Sequence, residues 1–183
     1  HVGYSYPAGE GGSVPYFPGF LVVWGRAWTE SIPLPKCEVL TIPPGKTREL
    51  LSDGKEEMQT ARPIDLLVIS QPPIRDEMIK WARSAIRADP ELQVVFRFHP
   101  SEQFPKLIEA IEREGVTVDS SVSLAPTLRM ARSVLVGYST TAIEAAIQGC
   151  IVFTVSVPGS ENIDLLVKEK IVRRVESLAE LLE

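Results

Sequence analysis

The sequence predicts an α/β fold: a doubly wound parallel sheet of about six strands, covered by helices on both faces as a three-layer sandwich, with an irregular N-terminal lead-in. Three observations carry this. Short apolar runs alternate with amphipathic segments from Asp65 onward. The runs are apolar at successive positions, as strands covered by helices on both sides must be. Residues 1–62 differ in kind, holding seven of the 15 prolines and eight of the 12 glycines.

In the lead-in, breakers such as GEGGS and IPLP leave only FLVVWG and CEVLTI as candidate strands. The expected division is a lead-in or interdomain segment over 1–62 and an α/β domain over 63–183. Within that domain DLLVIS is the first strand. After Pro72 and Pro73 comes the helix RDEMIKWARSAIRAD, with Met78, Ala82, Ala85 and Ile86 on one face. LQVVFRF is the second strand, and EQFPKLIEAIERE the next helix, with Phe104, Leu107, Ile108 and Ile111 at helical spacing. Pro105 fits there only in the first turn. VTVD and LAPTLRMAR, SVLVG and TAIEAAIQG, CIVFTV and NIDLLVKEK, and IVRRV and SLAELLE complete four further strand–helix pairs.

If these six strands adopt the common Rossmann-like order 3-2-1-4-5-6, the chain reverses between the first and the fourth. Ligands in such sheets bind outside the carboxyl ends of the strands at that reversal. Three loops then converge: Ser70 to Pro73, His99 to Glu102, and Gly137 to Thr141.

Bulk properties narrow the function. The formal charge of -5, with acids and bases interspersed, gives no basic face for a phosphate backbone, so nucleic acid is not an expected partner. No apolar run approaches the roughly 18 residues of a membrane span, and no signal-peptide pattern is present. Beginning at His1 rather than Met, the sequence is read as a piece of a longer protein. Cys37 and Cys150 are far apart and lack CxxC spacing, which points to a reducing compartment rather than a zinc site. Cys150 reads as a small buried hydrophobe, and Trp24, Trp28 and Trp81 as packing residues.

The loops contain the candidate site. Gly137, Tyr138, Ser139, Thr140 and Thr141 form a strand-to-helix turn whose N–H groups, hydroxyls and helix dipole suit a phosphate. The competing reading is a plain cap, since TAIE fits a capping box in which Thr141 caps and Glu144 reaches back. Glu144 therefore has two candidate roles, the box or a hydrogen-bond acceptor for a ribose diol. His99 leaves a strand directly, and Pro100 holds it extended, fixing the direction of the imidazole. It suits donation to a phosphate or a base carbonyl, or it is a turn residue. Arg97, two residues earlier on the same strand face, is either a second anion donor or the partner of a neighbouring acid. Ser70 and Gln71 are expected to line the crevice. No Asp cluster accompanies the phosphate turn, so no metal is expected.

A strand ending in His99-Pro100, followed by Ser139-Thr140 and then Glu144, Ala145 and Gly149, resembles the C-terminal, donor-binding half of two-domain glycosyltransferases of the GT-B fold. Within that superfold the chain is most similar to the bacterial capsule and surface-polysaccharide group, which includes CDP-glycerol glycerophosphotransferases and bacterial sialyltransferases. GYSYP, YFPGFLVVWGRAW and VLTIPPG resemble the segment joining the two halves of capsule proteins.

The resemblance implies that His99, Pro100, Ser139 and Thr140 contact the nucleotide phosphates and sugar. It also implies that Glu144 corresponds to the ribose-binding Glu of the related UDP-N-acetylglucosamine 2-epimerases. Those enzymes carry two glycines where this chain has Thr140 and Thr141, so a diphosphate approaches the backbone less closely here. The implied function is the donor half of a cytoplasmic or membrane-peripheral transferase that builds capsular or cell-surface polysaccharide. Its ligand would be a nucleotide-sugar or CDP-alditol donor, CMP or CDP being favoured over UDP, with no other cofactor. Acceptor site and catalytic base belong to the N-terminal half of such enzymes, so no catalytic residue is assigned and this piece is expected to bind without turnover. Two alternatives stay open: a nucleotide-sugar epimerase of the same superfold, which needs acid/base residues beyond Glu144, and a non-catalytic Rossmann-like binding or docking module.

Overall fold

The computed structural model describes residues 20–23, 38–41, 62–102 and 104–182. They fall in two units, His1–Pro44 and Gly45–Glu183. In the first, strands β1 (Phe20–Val23) and β2 (Glu38–Thr41) pair in parallel, Phe20 opposite Glu38. Both expected strands of the lead-in are therefore present. Trp24, Trp28 and Cys37 lie outside the described residues.

In the second unit the apolar runs become β3 (Ile64–Ile69), β4 (Val94–Arg97), β5 (Thr117–Val118), β6 (Ala131–Val136), β7 (Ile151–Val155) and β8 (Arg173–Val175). All pairings are parallel, and the order is β5-β4-β3-β6-β7-β8, the 3-2-1-4-5-6 arrangement expected from sequence. The register sets Leu66 of β3 between Val94 of β4 and Ser133 of β6. The connecting helices are α1 (Arg75–Ala88), α2 (Pro105–Glu112), α3 (Ala125–Met130), α4 (Thr141–Ile147), α5 (Asp164–Lys168) and α6 (Leu178–Leu182).

Strand alternation sorts the interior into two cores, because successive side chains point to opposite faces. On one face Leu66, Val68, Val94 and Phe96 meet Met78, Ala82 and Ala85 of α1, Ile111 of α2 and Leu181 of α6. On the other Leu67, Ile69, Val95 and Val134 meet Leu128 of α3, Ala142 and Ala145 of α4 and Leu166 of α5. Phe96 is fully buried and meets Phe98 edge-on, ring centroids 4.8 Å apart. Such a pair adds about 0.5–1.5 kcal/mol to the burial itself. Trp81 packs half-buried against the first core, and Cys150 is buried in the second, both as expected. Burial pushes the Cys150 thiol above its ordinary range, with Arg62 acting in the opposite sense.

At the end of the sheet opposite the strands' carboxyl termini, one side chain fastens two elements. Arg62 donates to the carbonyl of Ala131, at the start of β6, at 2.8 Å, and to that of Gln148, just past α4, at 2.6 Å. It thereby satisfies an orphan carbonyl at a helix end, where a cation also suits the dipole. Gly149 follows with φ +73, a left-handed conformation that ends α4 where expected.

Two expected helix starts are revised. EQFPKLIEAIERE was expected to be helical from Glu102, but α2 begins at Pro105, leaving Phe104 exposed and turning Glu102 inward. The capping box, one of the two readings of Thr141 and Glu144, does not form either. Thr140 holds the cap position without a side-chain cap bond, and the Oγ of Ser139 accepts the Thr141 N–H at 3.2 Å.

Candidate functional site

The first contributor is the end of β4. After Arg97 the chain makes a tight turn in which the Glu102 N–H reaches the His99 carbonyl at 2.7 Å, with Pro100 at the position where its fixed φ suits a turn. The Nδ1 of His99 accepts the Ser101 N–H at 3.2 Å and lies 2.7 Å from the Ser101 Oγ. A backbone N–H can only donate, so Nδ1 is the acceptor and the neutral ring carries its proton on Nε2. The exposed imidazole thus presents an Nε2–H donor. Glu102 closes the turn, its Oε2 accepting the His99 N–H at 2.9 Å and the Ser70 hydroxyl at 2.8 Å.

The second contributor is the end of β3. Ser70 is 1% exposed and its hydroxyl is occupied by Glu102, so it supports the crevice from beneath rather than lining it as expected. Gln71 is half-buried, and its Oε1 accepts the Tyr138 N–H at 2.9 Å. Adjacent residues of one loop therefore fasten the two others: Ser70 holds the His99 turn through Glu102, and Gln71 holds the loop after β6. The convergence expected at the reversal between β3 and β6 is present.

The third contributor is the loop after β6. Gly137 is buried, and a Cβ built on it would stand 2.1 Å from Cδ1 of Ile74 and 2.9 Å from Oε1 of Gln71. Glycine lets this strand end approach the start of α1 without displacing the ends of the Ile74 and Gln71 side chains. The Gly137 carbonyl accepts from the buried hydroxyl of Thr154 at 2.6 Å, and the Tyr138 ring packs on Gly159. Ser139 and Thr141 share a hydroxyl hydrogen bond of 2.9 Å. Among the described residues the N–H groups of Ser139 and Thr140 make no hydrogen bond. Two adjacent amide donors and three hydroxyls stand together here. Glu144 is half-buried one turn into α4, and its carboxylate has no hydrogen-bond partner among the described residues.

Arg97 stands apart from this group. It is buried and pairs with Asp119, while its remaining donors reach the Ser121 Oγ and carbonyl, each at 2.9 Å. The neighbouring-acid reading is the one its geometry fits, and its guanidinium faces the β5 side. Burial pushes the Asp119 carboxyl up, but hydrogen bonds from Thr127, Ser121 and Arg97 outweigh it and hold the pKa at about 2. Neither Asp119 nor Glu102 was picked out from the sequence. An acid at a strand end (Val118-Asp119) and one two residues after a His-Pro pair were the available signals.

Beside the crevice, a groove of about 390 Å³ runs between the start of α1 and the loop after β7, lined by Ile74, Arg75, Lys80, Ser156 and Pro158 among others. Its cations are matched locally, Arg75 by Asp76 at 2.9 Å and Lys80 by Glu77 at 3.0 Å. No helix among the described residues is long and apolar enough to cross a membrane.

No family model and no curated protein sequence matches the chain. Among solved structures it is similar to a chain of "Crystal structure of GtfA/B complex", with 17% identity and a TM-score of 0.49 over 76% of this chain. The match spans 30% of that structure's chain. It is a likeness in fold at a level that says nothing about chemistry.

Proposed function

We propose that this chain is the nucleotide-donor-binding half of a glycosyltransferase or glycerophosphate-type transferase that builds capsular or cell-surface polysaccharide on the cytoplasmic side. The observation that supports it is the pair of bonds from one loop, Ser70 to Glu102 and Gln71 to Tyr138, which draws the His99 turn and the Ser139 loop to the sheet's reversal point. There the Nε2–H of His99, the Ser139 and Thr140 amides and the neighbouring hydroxyls form a set of donors for a phosphate. Donors fixed in advance stabilise charge developing on a departing phosphate oxygen without reorganising. Glu144 would accept from the ribose. The donor would be a CMP- or CDP-activated sugar or alditol, and the acceptor and catalytic base would come from a separate N-terminal half.

Calorimetric titration with CMP, CDP and UDP tests this, comparing the wild-type chain with His99→Ala and Ser139→Ala. Each substitution should weaken binding by about tenfold, the effect of losing one hydrogen bond to a charged group. Equal affinity in all three proteins would remove the assignment.

A further inference from the structure

Glu102 is the least expected side chain at the crevice. Its side chain is 3% exposed, yet it belongs to an otherwise exposed turn. Oε2 takes both available hydrogen bonds, from the Ser70 hydroxyl and the His99 N–H. Among the described residues the buried Oε1 has no hydrogen-bond partner, and the Arg75 guanidinium stands 3.9 Å from it. Burying a carboxylate with half its acceptor capacity unused is costly, more so than an exposed turn needs for its own stability. Two solvent-exposed residues would close the same turn without that cost. What the buried carboxylate adds is orientation: it fixes the backbone of His99 against the end of β3, and the Ser101 contacts then fix the ring.

We infer that Glu102 is the positioning residue for His99, aligning the Nε2–H with the phosphate-binding loop after β6. This rests on the donor-binding reading for its ligand, but not for its structural content. Arg75 belongs to the same arrangement. It lies 4.8 Å over the Phe104 ring, with its guanidinium 3.9 Å from Oε1 of Glu102.

The test has two arms on the 183-residue chain. In the first, CMP is titrated into wild type, His99→Ala, Glu102→Ala and the double variant. Each single change is expected to weaken binding about tenfold, with the double variant no weaker than either, because residues acting as one unit are not additive. Glu102→Gln keeps a carbonyl oxygen for Ser70 and His99 and should recover most of the loss. Fully additive losses, or a Glu102→Gln as weak as Glu102→Ala, would overturn the inference.

The second arm needs no ligand. The imidazole nitrogen shifts of His99 should report an Nε2–H tautomer in wild type and Glu102→Gln, and a mixture in Glu102→Ala. An unchanged imidazole spectrum in folded Glu102→Ala sinks the inference. Should that variant not fold, Glu102→Asp, which withdraws the carboxylate by one methylene, takes its place. If wild type binds no CMP, CDP or UDP, the donor-binding reading fails, and the imidazole spectrum alone decides the role of Glu102.

Discussion

Two residues show how local geometry sets what each position tolerates. A Cβ at Gly137 would have to push aside the Ile74 methyl and the Gln71 amide oxygen that holds Tyr138. Gly137→Ala should therefore destabilise by about 1–3 kcal/mol, the usual range for overpacking, read as a lower urea midpoint. Asp119 makes a pH prediction. Its folded pKa, about 2, lies below its ordinary value of 3.8, so it adds stability at pH values above that ordinary range. The contribution is lost as pH falls from about 4 through about 2. Asp119→Asn should flatten the acid limb of a stability-against-pH curve in that window, and a limb as steep as wild type's would show the carboxylate has no such part. Truncating Asp119 to Ala strands Arg97 as a buried cation and should cost about 3–5 kcal/mol by chemical denaturation. Arg97 also marks a limit of reading sequence. An Arg on a strand face offers the same donors to a ligand or to an internal acid, and the choice was made by where β5 delivers Asp119.

At the scale of elements, opposite ends of the sheet do separate work. The Arg62 clamp on β6 and α4 lies at the end away from the crevice. Arg62→Ala should lower stability by about 1–3 kcal/mol, from the carbonyls it leaves unpaired, while nucleotide affinity stays at the wild-type value. A matching fall in affinity would show the two ends to be coupled. Helix starts were the less legible feature. The TAIE motif promised a capping box at α4 that is absent, because Ser139, two residues before Thr141, already supplies the oxygen. The same spacing in SLAE does cap α6: the Glu180 N–H meets the Ser177 Oγ at 3.3 Å, and the Glu180 carboxylate accepts the Glu176 N–H at 3.1 Å. Both stretches satisfy the motif, and at α4 it is Ser139, two positions upstream, that takes the Thr141 N–H the box would have used. Strand positions were legible because burial on two faces leaves a run of apolar residues that few other structures produce.

For the whole molecule, alternation and composition pointed to a parallel, doubly wound sheet, the strand order is the one common to that class, and that order puts the crevice at the β3/β6 reversal. The hydrogen bonds that draw the crevice loops together, from Ser70, Gln71 and Glu102, were not legible, since polar pairing between loops leaves no periodic trace in sequence. The proposed nucleotide site is made by these three loops together. The direct measurement is an amide-shift titration of the isotopically labelled chain with CMP. Binding at the reversal predicts saturable shifts confined to Ser70, Gln71, the His99 turn and Tyr138 to Thr141, with the Arg62 clamp and the Asp119 loop unmoved. Shifts centred on the Asp119 loop, or in the α1/β7 groove without the His99 turn, would contradict it.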